Sequence, residues 1–107
     1  MRVYYNVTED ESELPKAFSL KNNYPNPFNP VTNIHYEFHK NTDVQITIYN
    51  VLGRKVKQIV NGEQVSGKHK ITWNGTNDLG QPVSAGVYFY RAETGDFVKT
   101  KKMVFLK

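Results

Sequence analysis

The sequence predicts an all-β protein, an antiparallel β-sandwich of about seven short strands, and three observations support this prediction. Apolar residues recur at every second position over most of the chain, whereas the spacing of an amphipathic helix is almost absent. The segments that alternate in this way are rich in β-branched and aromatic residues. Clusters of Gly, Pro, Asn and Asp separate them at short intervals. Strands joined by short turns therefore describe the chain better than helices do.

The first predicted strand covers residues 17–24 and directs Phe18 and Leu20 inward. Prolines end it, because each proline fixes φ and lacks the N–H group that a β-ladder needs. We expect the proline segment to form an extended bend that leads to the second strand and does not recruit other strands. Its prolines are Pro25, Pro27 and Pro30.

The next two predicted strands, residues 32–39 and 43–51, alternate most regularly between apolar and polar positions. Every second side chain of a strand faces the same side of its sheet, so each strand has one apolar face. Both strands are therefore expected to pack one face on the core. The inward residues are Ile34, Tyr36 and Phe38 in the first strand and Val44, Ile46 and Ile48 in the second.

Residues 52–54 form the next predicted turn, in which Gly53 supplies a positive φ angle. The strand that follows, residues 55–60, is short and directs Val56 and Val60 inward. The strand after that, residues 68–74, places His69, Ile71 and Trp73 on its inward face and Lys68, Lys70 and Thr72 on its outward face.

A tight hairpin joins the last two predicted strands, with Gly95 at the positive φ angle of the turn at residues 94–96. In residues 86–93 the inward set is either Tyr88, Tyr90 and Ala92 or Val87, Phe89 and Arg91, and the first is favoured because it leaves the arginine outside. In residues 97–107 one face carries Val98, Thr100, Lys102, Val104 and Leu106, and the other carries Phe97, Lys99, Lys101, Met103 and Phe105. Because neither face is purely apolar, we expect a β-bulge near Lys101 and Lys102.

Strands of this number and spacing favour an immunoglobulin-like sandwich. Residues 17–107 are the predicted domain, and residues 1–16 are expected to be a linker or the tail of an upstream domain. The charge supports this division, because residues 1–20 carry two basic and four acidic residues, whereas the remainder carries twelve basic and six acidic residues. A basic module follows an acidic lead-in.

The composition excludes several classes of function. A chain of 107 residues forms one small domain, and the absence of cysteine excludes disulfides, thiolate nucleophiles and cysteine metal sites. No apolar run is long enough for a membrane helix, and the start of the chain lacks the apolar region of a secretory signal. The basic residues are spread singly through the strands, which argues against a nucleic-acid partner.

No catalytic set of residues is visible, and the candidate ligand sites have simpler explanations. His35 and His39 lie on one face of a strand about 13 Å apart, too far to share a metal ion, and His69 is directed inward on another strand. Residues 74–81 resemble a calcium loop but contain only one acid, Asp78, so a structural turn is favoured over a weak calcium site. No metal or cofactor is predicted.

A sugar-stacking platform is an alternative function for the aromatic residues. A mid-strand tryptophan in a small sandwich is more often a core residue, which is the favoured interpretation of Trp73. An exposed indole would instead favour a carbohydrate-binding module of a secreted protein. The aromatic residues concerned are Trp73, Tyr36, Tyr49, Tyr88 and Tyr90.

Five sequence blocks, in order, resemble the C-terminal sorting domain of type IX secretion substrates. They are NYPNPFNP at residues 23–30, IYNVLGR at 48–54, WNGT at 73–76, GVYFYR at 86–91 and KKMV at 101–104 with the residues that follow. The resemblance covers residues 18–107. A second family, the immunoglobulin-like domain of the flagellar hook-capping protein, is similar through WNGT, Gly80 and GVY, and would imply an assembly scaffold.

The resemblance to the sorting family implies a non-catalytic domain at the C-terminus of a larger secreted or cell-surface protein of Gram-negative bacteria. Such a domain is recognised in the periplasm and directs its upstream cargo across the outer membrane, after which it is commonly cleaved. The implied partners are the type IX outer-membrane translocon, the cell-surface processing machinery and the cargo domain of the same precursor. Neither a nucleic acid nor insertion into a membrane is implied.

Two groups of candidate residues follow. Recognition is expected at the last strand, where a partner sheet could add a strand and bind both the main chain and alternate side chains. The alternative is that the lysines only protect an edge strand from aggregation. An exposed last strand would also permit weak self-association. The recognition set is Lys99, Lys101, Lys102, Val104, Leu106 and Lys107. The set expected to determine the fold is Pro25, Asn26, Pro27, Phe28, Leu52, Gly53, Arg54, Trp73, Gly86 and Tyr88.

Overall fold

The computed structural model describes residues 18–107. The linker predicted over residues 1–16 and the first residue of the first predicted strand lie outside this range. Residues 18–107 form seven strands: β1 (Ser19–Leu20), β2 (Thr32–Phe38), β3 (Thr42–Asn50), β4 (Lys55–Gln64), β5 (Gly67–Trp73), β6 (Gly86–Glu93) and β7 (Val98–Phe105).

The strands form two antiparallel sheets that pack face to face. One sheet has three strands in the order β1-β2-β5, and the other has four strands in the order β4-β3-β6-β7. The sandwich predicted from the sequence is therefore confirmed. Strand β7 lies at an edge of the four-stranded sheet, next to β6 alone. In the described part of the chain, no helix is long and apolar enough to cross a membrane.

Most of the core residues are ones that the alternation placed inward; Phe28, in the proline segment, is a core residue that the alternation did not predict. A sheet with one face on the core and one in solvent requires this alternation, because adjacent side chains point to opposite faces. In β6 the favoured register is confirmed, since Tyr88, Tyr90 and Ala92 are buried. The other buried apolar residues are Phe18, Leu20, Phe28, Ile34, Tyr36, Phe38, Val44, Ile46, Ile48, Val60, Trp73, Met103 and Phe105.

The strand boundaries differ from the prediction by more than two residues in two places, and by at most two residues elsewhere. The first predicted strand is reduced to Ser19–Leu20, because the chain then leaves the sheet and returns only for an isolated bridge between Tyr24 and Asn33. Strand β4 continues from Lys55 to Gln64, beyond the predicted end at residue 60, because β3 offers unpaired backbone groups along its whole length. The β3–β4 pairing contains two register shifts, which lie at the Ile46/Thr47 and Ile48/Tyr49 steps.

Two details predicted for the final hairpin are wrong. The register between β6 and β7 runs unbroken from Gly86↔Phe105 to Glu93↔Val98, so there is no bulge near Lys101 and Lys102. An edge strand can tolerate lysines on its inward face, because their long side chains reach solvent beyond the sheet margin. Gly95 does not have a positive φ angle. The turn closes instead through hydrogen bonds from the Thr94 N–H to the Phe97 carbonyl and from the Asp96 N–H to the Thr94 hydroxyl.

Gly75 occupies a position where no other residue fits. Its φ angle is +76°, and a Cβ atom placed there would lie 2.8 Å from Cζ of Phe105. Both the left-handed backbone and the contact with a buried ring exclude a side chain. The close approach of this turn to Phe105 lets the loop after β5 cover the end of the core.

We expect Gly75→Ala to lower the free energy of unfolding by about 2 to 4 kcal/mol, through backbone strain together with overpacking against Phe105. Urea denaturation measures this change. Gly95→Ala is the matched control, because its φ angle is not positive and nothing lies within 4 Å of its Cβ position; its effect is expected to stay within about 0.5 kcal/mol. Equal stability of the two variants would contradict the prediction.

The buried tyrosines of the core link its stability to pH. The Tyr90 hydroxyl donates a hydrogen bond of 2.8 Å to the Lys21 carbonyl oxygen. Burial raises the pKa of Tyr90 from 10.0 to about 12, against a smaller opposing effect of the Asn23 backbone. Burial also raises the pKa values of Tyr36 and Tyr88. The folded state therefore keeps these phenol groups protonated at pH values where the unfolded chain releases their protons.

Stability from Tyr90 is fully present below about pH 10 and is expected to be lost as the pH rises towards about 12, with a total loss of about 2 to 3 kcal/mol. Urea titrations at about pH 8 and about pH 11.5 measure this loss. Tyr90→Phe cannot ionise, so its stability should fall less between the two pH values. An equal fall in the variant would show that Tyr90 does not cause the alkaline loss.

Candidate functional site

Strand β7 carries most of the residues predicted for recognition, and the structure divides them between two faces. Lys99 and Lys101 lie on the same face as the buried Met103 and Phe105, which is the inward face. Lys102 and Val104 lie on the outward face. The lysines therefore surround the strand edge from both sides.

The lysine side chains remain accessible although two of them start on the inward face. The Lys99 ammonium lies 5.7 Å from the centre of the Phe97 ring, and the Lys107 ammonium lies 5.9 Å from the centre of the Phe105 ring. Lys101 is half-buried, whereas Lys102 is exposed. Within residues 18–107 the ion pairs are Lys55–Asp78 and Arg91–Glu93, so these four lysines have no carboxylate partner in that range.

A short segment from the proline region covers one part of the β7 edge. We call residues 26–28 the clip. Its Phe28 N–H donates to the Val104 carbonyl at 2.9 Å, and its Phe28 carbonyl accepts from the Leu106 N–H at 2.8 Å. The Asn26 side-chain oxygen accepts from the Val104 N–H at 3.0 Å. The clip thus pairs with the last residues of the chain as a short parallel bridge.

The clip is held in place by a buried aromatic side chain. Phe28 is 1% exposed and stacks on Phe105 with ring centres 5.0 Å apart. Its ring also lies 5.6 Å from the Trp73 ring, which in turn contacts the edge of Tyr88 at 5.2 Å. The clip therefore joins the core and the final strand at the same point.

The clip divides the free edge of β7 into a covered and an open part. In an antiparallel ladder, the N–H and C=O groups of alternate residues point to the neighbouring strand and away from it. Those of Val104 point away from β6, because they bond to the clip. The β6–β7 register has no shift, so the N–H and C=O groups of Val98, Thr100 and Lys102 also point away from β6. Residues 98–102 form the open edge.

The start of the clip is fixed by hydrogen bonds that the sequence did not reveal. The buried Asn23 amide donates to the Thr32 hydroxyl at 3.0 Å and to the Pro25 carbonyl at 3.2 Å. The Thr32 hydroxyl also donates to the Pro25 carbonyl, at 2.8 Å. Asparagine and threonine are typical of such local bonds, but the sequence alone does not show which backbone groups they meet.

The turn after β3 shows which residues of the IYNVLGR block act on the fold. Asn50 accepts hydrogen bonds through its side-chain oxygen from the N–H groups of Leu52 and Arg54, at 2.9 and 3.0 Å. Gly53 has the predicted positive φ angle, 81°. The Leu52 side chain is 73% exposed, so only its backbone contributes to the turn. The sequence prediction missed Asn50, although an asparagine that begins a turn is a recognisable signal.

The remaining residues predicted to determine the fold lie beside the buried ring cluster. The Trp73 indole N–H donates to the Thr76 carbonyl at 2.8 Å, and the Tyr88 hydroxyl donates to the Ser84 carbonyl at 2.6 Å. Gly86 begins β6 with a φ angle of 149°. Trp73 is 1% exposed, so a sugar-stacking platform centred on its indole is wrong. Of the aromatic residues considered for such a platform, Tyr49 is half-buried, whereas Tyr36, Tyr88 and Tyr90 are buried.

The loop at residues 74–81 is a structural turn. Asn77 accepts hydrogen bonds through its side-chain oxygen from the N–H groups of Leu79 and Gln81, and Asp78 accepts one from the Gln58 N–H. His69 lies against the rings of Tyr36 and Phe38 at 5.2 Å. Within residues 18–107, no three His, Asp or Glu side chains converge in a way that would hold a metal ion.

Residues 22–106 match the family described as the secretion system C-terminal sorting domain. The chain belongs to this family. The prediction of a type IX secretion sorting domain is therefore confirmed, and the domain is non-catalytic. Membership also implies a protein that is secreted or displayed at the cell surface by way of the outer membrane.

Two solved structures from Porphyromonas gingivalis share the fold of the sorting domain. Dimeric latent PorU is 21% identical, with a TM-score of 0.68, and the match covers 95% of this chain and 10% of PorU. PorZ, a surface component of the type IX secretion system, is 18% identical, with a TM-score of 0.56, and the match covers 84% of this chain and 11% of PorZ. The chain thus spans about a tenth of each of these proteins. No curated protein is significantly similar in sequence.

The clip can be tested through the two amides that it covers. Asn26→Ala removes the acceptor of the Val104 N–H, so hydrogen exchange at this amide should become faster by about fivefold, for a loss of about 1 kcal/mol. The Leu106 amide keeps its partner, the Phe28 carbonyl, and should change little. NMR-detected exchange resolves both amides. If both amides or neither of them became faster, this assignment of the bonds would be wrong.

Removal of the buried ring should have a much larger effect. Phe28→Ala leaves a cavity between Phe105 and Trp73 and is expected to lower the free energy of unfolding by about 3 to 5 kcal/mol. Urea denaturation measures this loss. Val31→Ala, a truncation of an exposed apolar side chain in the same connection, is the control and should change stability by less than about 0.5 kcal/mol. A small effect of Phe28→Ala would contradict the role given to the ring.

Proposed function

We propose that the secretion machinery recognises this sorting domain at strand β7, through its lysines and its open edge. The observation that carries the proposal is the division of β7: one end is held by the clip, whereas residues 98–102 keep outward-facing backbone groups beside lysines that have no carboxylate partner within residues 18–107. A partner strand can bind to a surface that combines main-chain hydrogen-bond donors and acceptors with charged side chains. The recognition set is Lys99, Lys101, Lys102, Val104, Leu106 and Lys107.

In this proposal the residues predicted to determine the fold act indirectly, by holding β7 in position. Phe28 packs under the end of β7, and Asn26 bonds to its backbone. Trp73 packs against the Phe28 ring, and Tyr88 packs against Trp73 in turn. Pro25 and Pro27 flank Asn26 and restrict the backbone of the clip. The turn with Leu52, Gly53 and Arg54 and the strand start at Gly86 shape the same sheet.

The finer partners follow from this role. We infer that the outer-membrane translocon binds β7 and that the cell-surface processing machinery acts on the chain upstream of the described domain. The cargo is the upstream part of the same precursor, joined through residues 1–16 as a linker, with residues 17–107 as the sorting unit. No cofactor, nucleic acid or membrane insertion takes part.

A purely protective role is the competing explanation, because charged residues on an edge strand also prevent aggregation. The two roles predict different results when the lysine charges are reversed. Loss of a recognition contact prevents export of a folded domain. Loss of protection allows association between domains but leaves export of the monomer intact.

The test places the 107-residue chain behind a signal for export to the periplasm and a reporter, in a host with type IX machinery. The triple variant K99E/K102E/K107E reverses exposed charges of the recognition set and should lower the extracellular reporter by at least about tenfold. The control K21E/K40E/K70E makes the same change in charge at exposed lysines outside β7 and should export within about twofold of the parent.

Thermal unfolding establishes that both triple variants remain folded. Normal export of folded K99E/K102E/K107E, with an increased fraction of dimers or larger species in size-exclusion chromatography, would support the protective role instead. Equal loss of export in both variants would show that total charge matters and that β7 has no special role.

A further inference from the structure

We infer that the open edge, residues 98–102, accepts an extended acidic segment of a partner as an added β-strand. This inference rests on the proposed recognition at β7 and states the kind of partner that fits there. Its evidence is the set of backbone groups that have no partner strand among residues 18–107, the two boundaries of the open edge, and the positions of the lysines around it.

The backbone offers a complete template for strand addition. The N–H and C=O groups of Val98, Thr100 and Lys102 point away from β6, by the same alternation that directs those of Val104 to the clip. That gives three donors and three acceptors on one straight edge. The side chains of Val98, Thr100 and Lys102 are exposed, so no other part of the described chain covers this edge.

Two structural features limit the length of the added strand. The hairpin at residues 94–96 ends the edge on one side, and the Asn26 side chain occupies the Val104 N–H on the other. The open edge between them spans about 14 Å, which matches about five residues of an extended peptide. A longer partner strand would have to displace the clip, which the buried Phe28 ring opposes.

Charge selects an acidic partner over a second copy of this chain. Two copies that paired antiparallel through Thr100 would place Lys99 of one opposite Lys101 of the other. Like charges directly opposite each other destabilise a strand pair, whereas opposite charges stabilise it. Carboxylates at the partner positions opposite Lys99 and Lys101 would therefore be favourable.

The outward face specifies the other side chains of the partner. On this face the β6 neighbours of Val98 and Thr100 are Glu93 and Arg91, which form an ion pair with each other. The groups left for a partner are therefore the exposed β-branched side chains of Val98 and Thr100 themselves. A partner side chain on this face would lie beside Val98 and Thr100. The fitting partner thus alternates acidic residues, opposite Lys99 and Lys101, with β-branched residues opposite Val98 and Thr100.

A blocked peptide of sequence TEVEVET is the probe, with TKVKVKT as its charge-reversed control. With the acidic peptide at millimolar concentration, NMR-detected hydrogen exchange should slow by about fivefold or more at the amides of Val98, Thr100 and Lys102. The amides of Val104 and Leu106 should not change, because the clip already covers them. The control peptide should give no protection.

Two substitutions at one position separate backbone pairing from side-chain contact. Thr100→Pro removes an outward N–H but no bond to β6, a place where an edge strand tolerates proline. It should abolish the protection and lower export by at least about tenfold. Thr100→Val keeps the N–H group, so it should retain both the protection by the acidic peptide and the export of the reporter. In K99E/K101E the preference should reverse, so that TKVKVKT binds in place of TEVEVET.

The inference is overturned if the acidic peptide protects none of the three open amides, if it protects other amides instead, or if folded Thr100→Pro exports normally. Dimers of the unliganded chain with protected open-edge amides would identify a second copy as the occupant and would also overturn it. If K99E/K102E/K107E loses export while Thr100→Pro does not, recognition at β7 stands and strand addition is wrong. If only Thr100→Pro loses export, the partner binds the backbone of the open edge without using the lysines, and the inference of an acidic partner is wrong.

Discussion

The position of the final strand depends on one buried ring. Phe28 packs against both Phe105 and Trp73, and its own backbone bonds to Val104 and Leu106. Core packing and edge pairing are thus supplied by the same residue, so the end of the chain cannot leave the sheet without opening the core. Gly75 completes this arrangement, because the missing side chain lets the turn after β5 close over Phe105.

This arrangement explains how a small domain can be stable and still offer an unpaired strand edge. An exposed edge invites non-specific pairing, and natural sheets limit it by covering the edge or by adding charge. Here the clip covers one part of β7, and lysines surround the other part. The open edge is consequently short and surrounded by positive charge, as the proposed recognition by a dedicated partner requires.

Much of the fold was predictable from the sequence because side-chain alternation has a local cause. Ile34, Tyr36 and Phe38 face the core simply because every second residue of a strand does. The same logic failed at Lys101 and Lys102, where a mixed face suggested a bulge. The register is continuous there, since lysines at a sheet margin reach solvent from the inward face. Local pattern does not show which strand lies at an edge.

The sequence by itself determined the strand pattern, the turn at Gly53 and, through the ordered motifs, the sorting family. Only the tertiary structure showed what Asn26 and Phe28 do. Asn26 bonds to a residue 78 positions away, and no periodicity or turn rule connects residues at that separation. The division of β7 into covered and open parts arises from this long-range pairing. For that reason the sequence could point to the lysines of the last strand, but it could not show which part of the strand edge they surround.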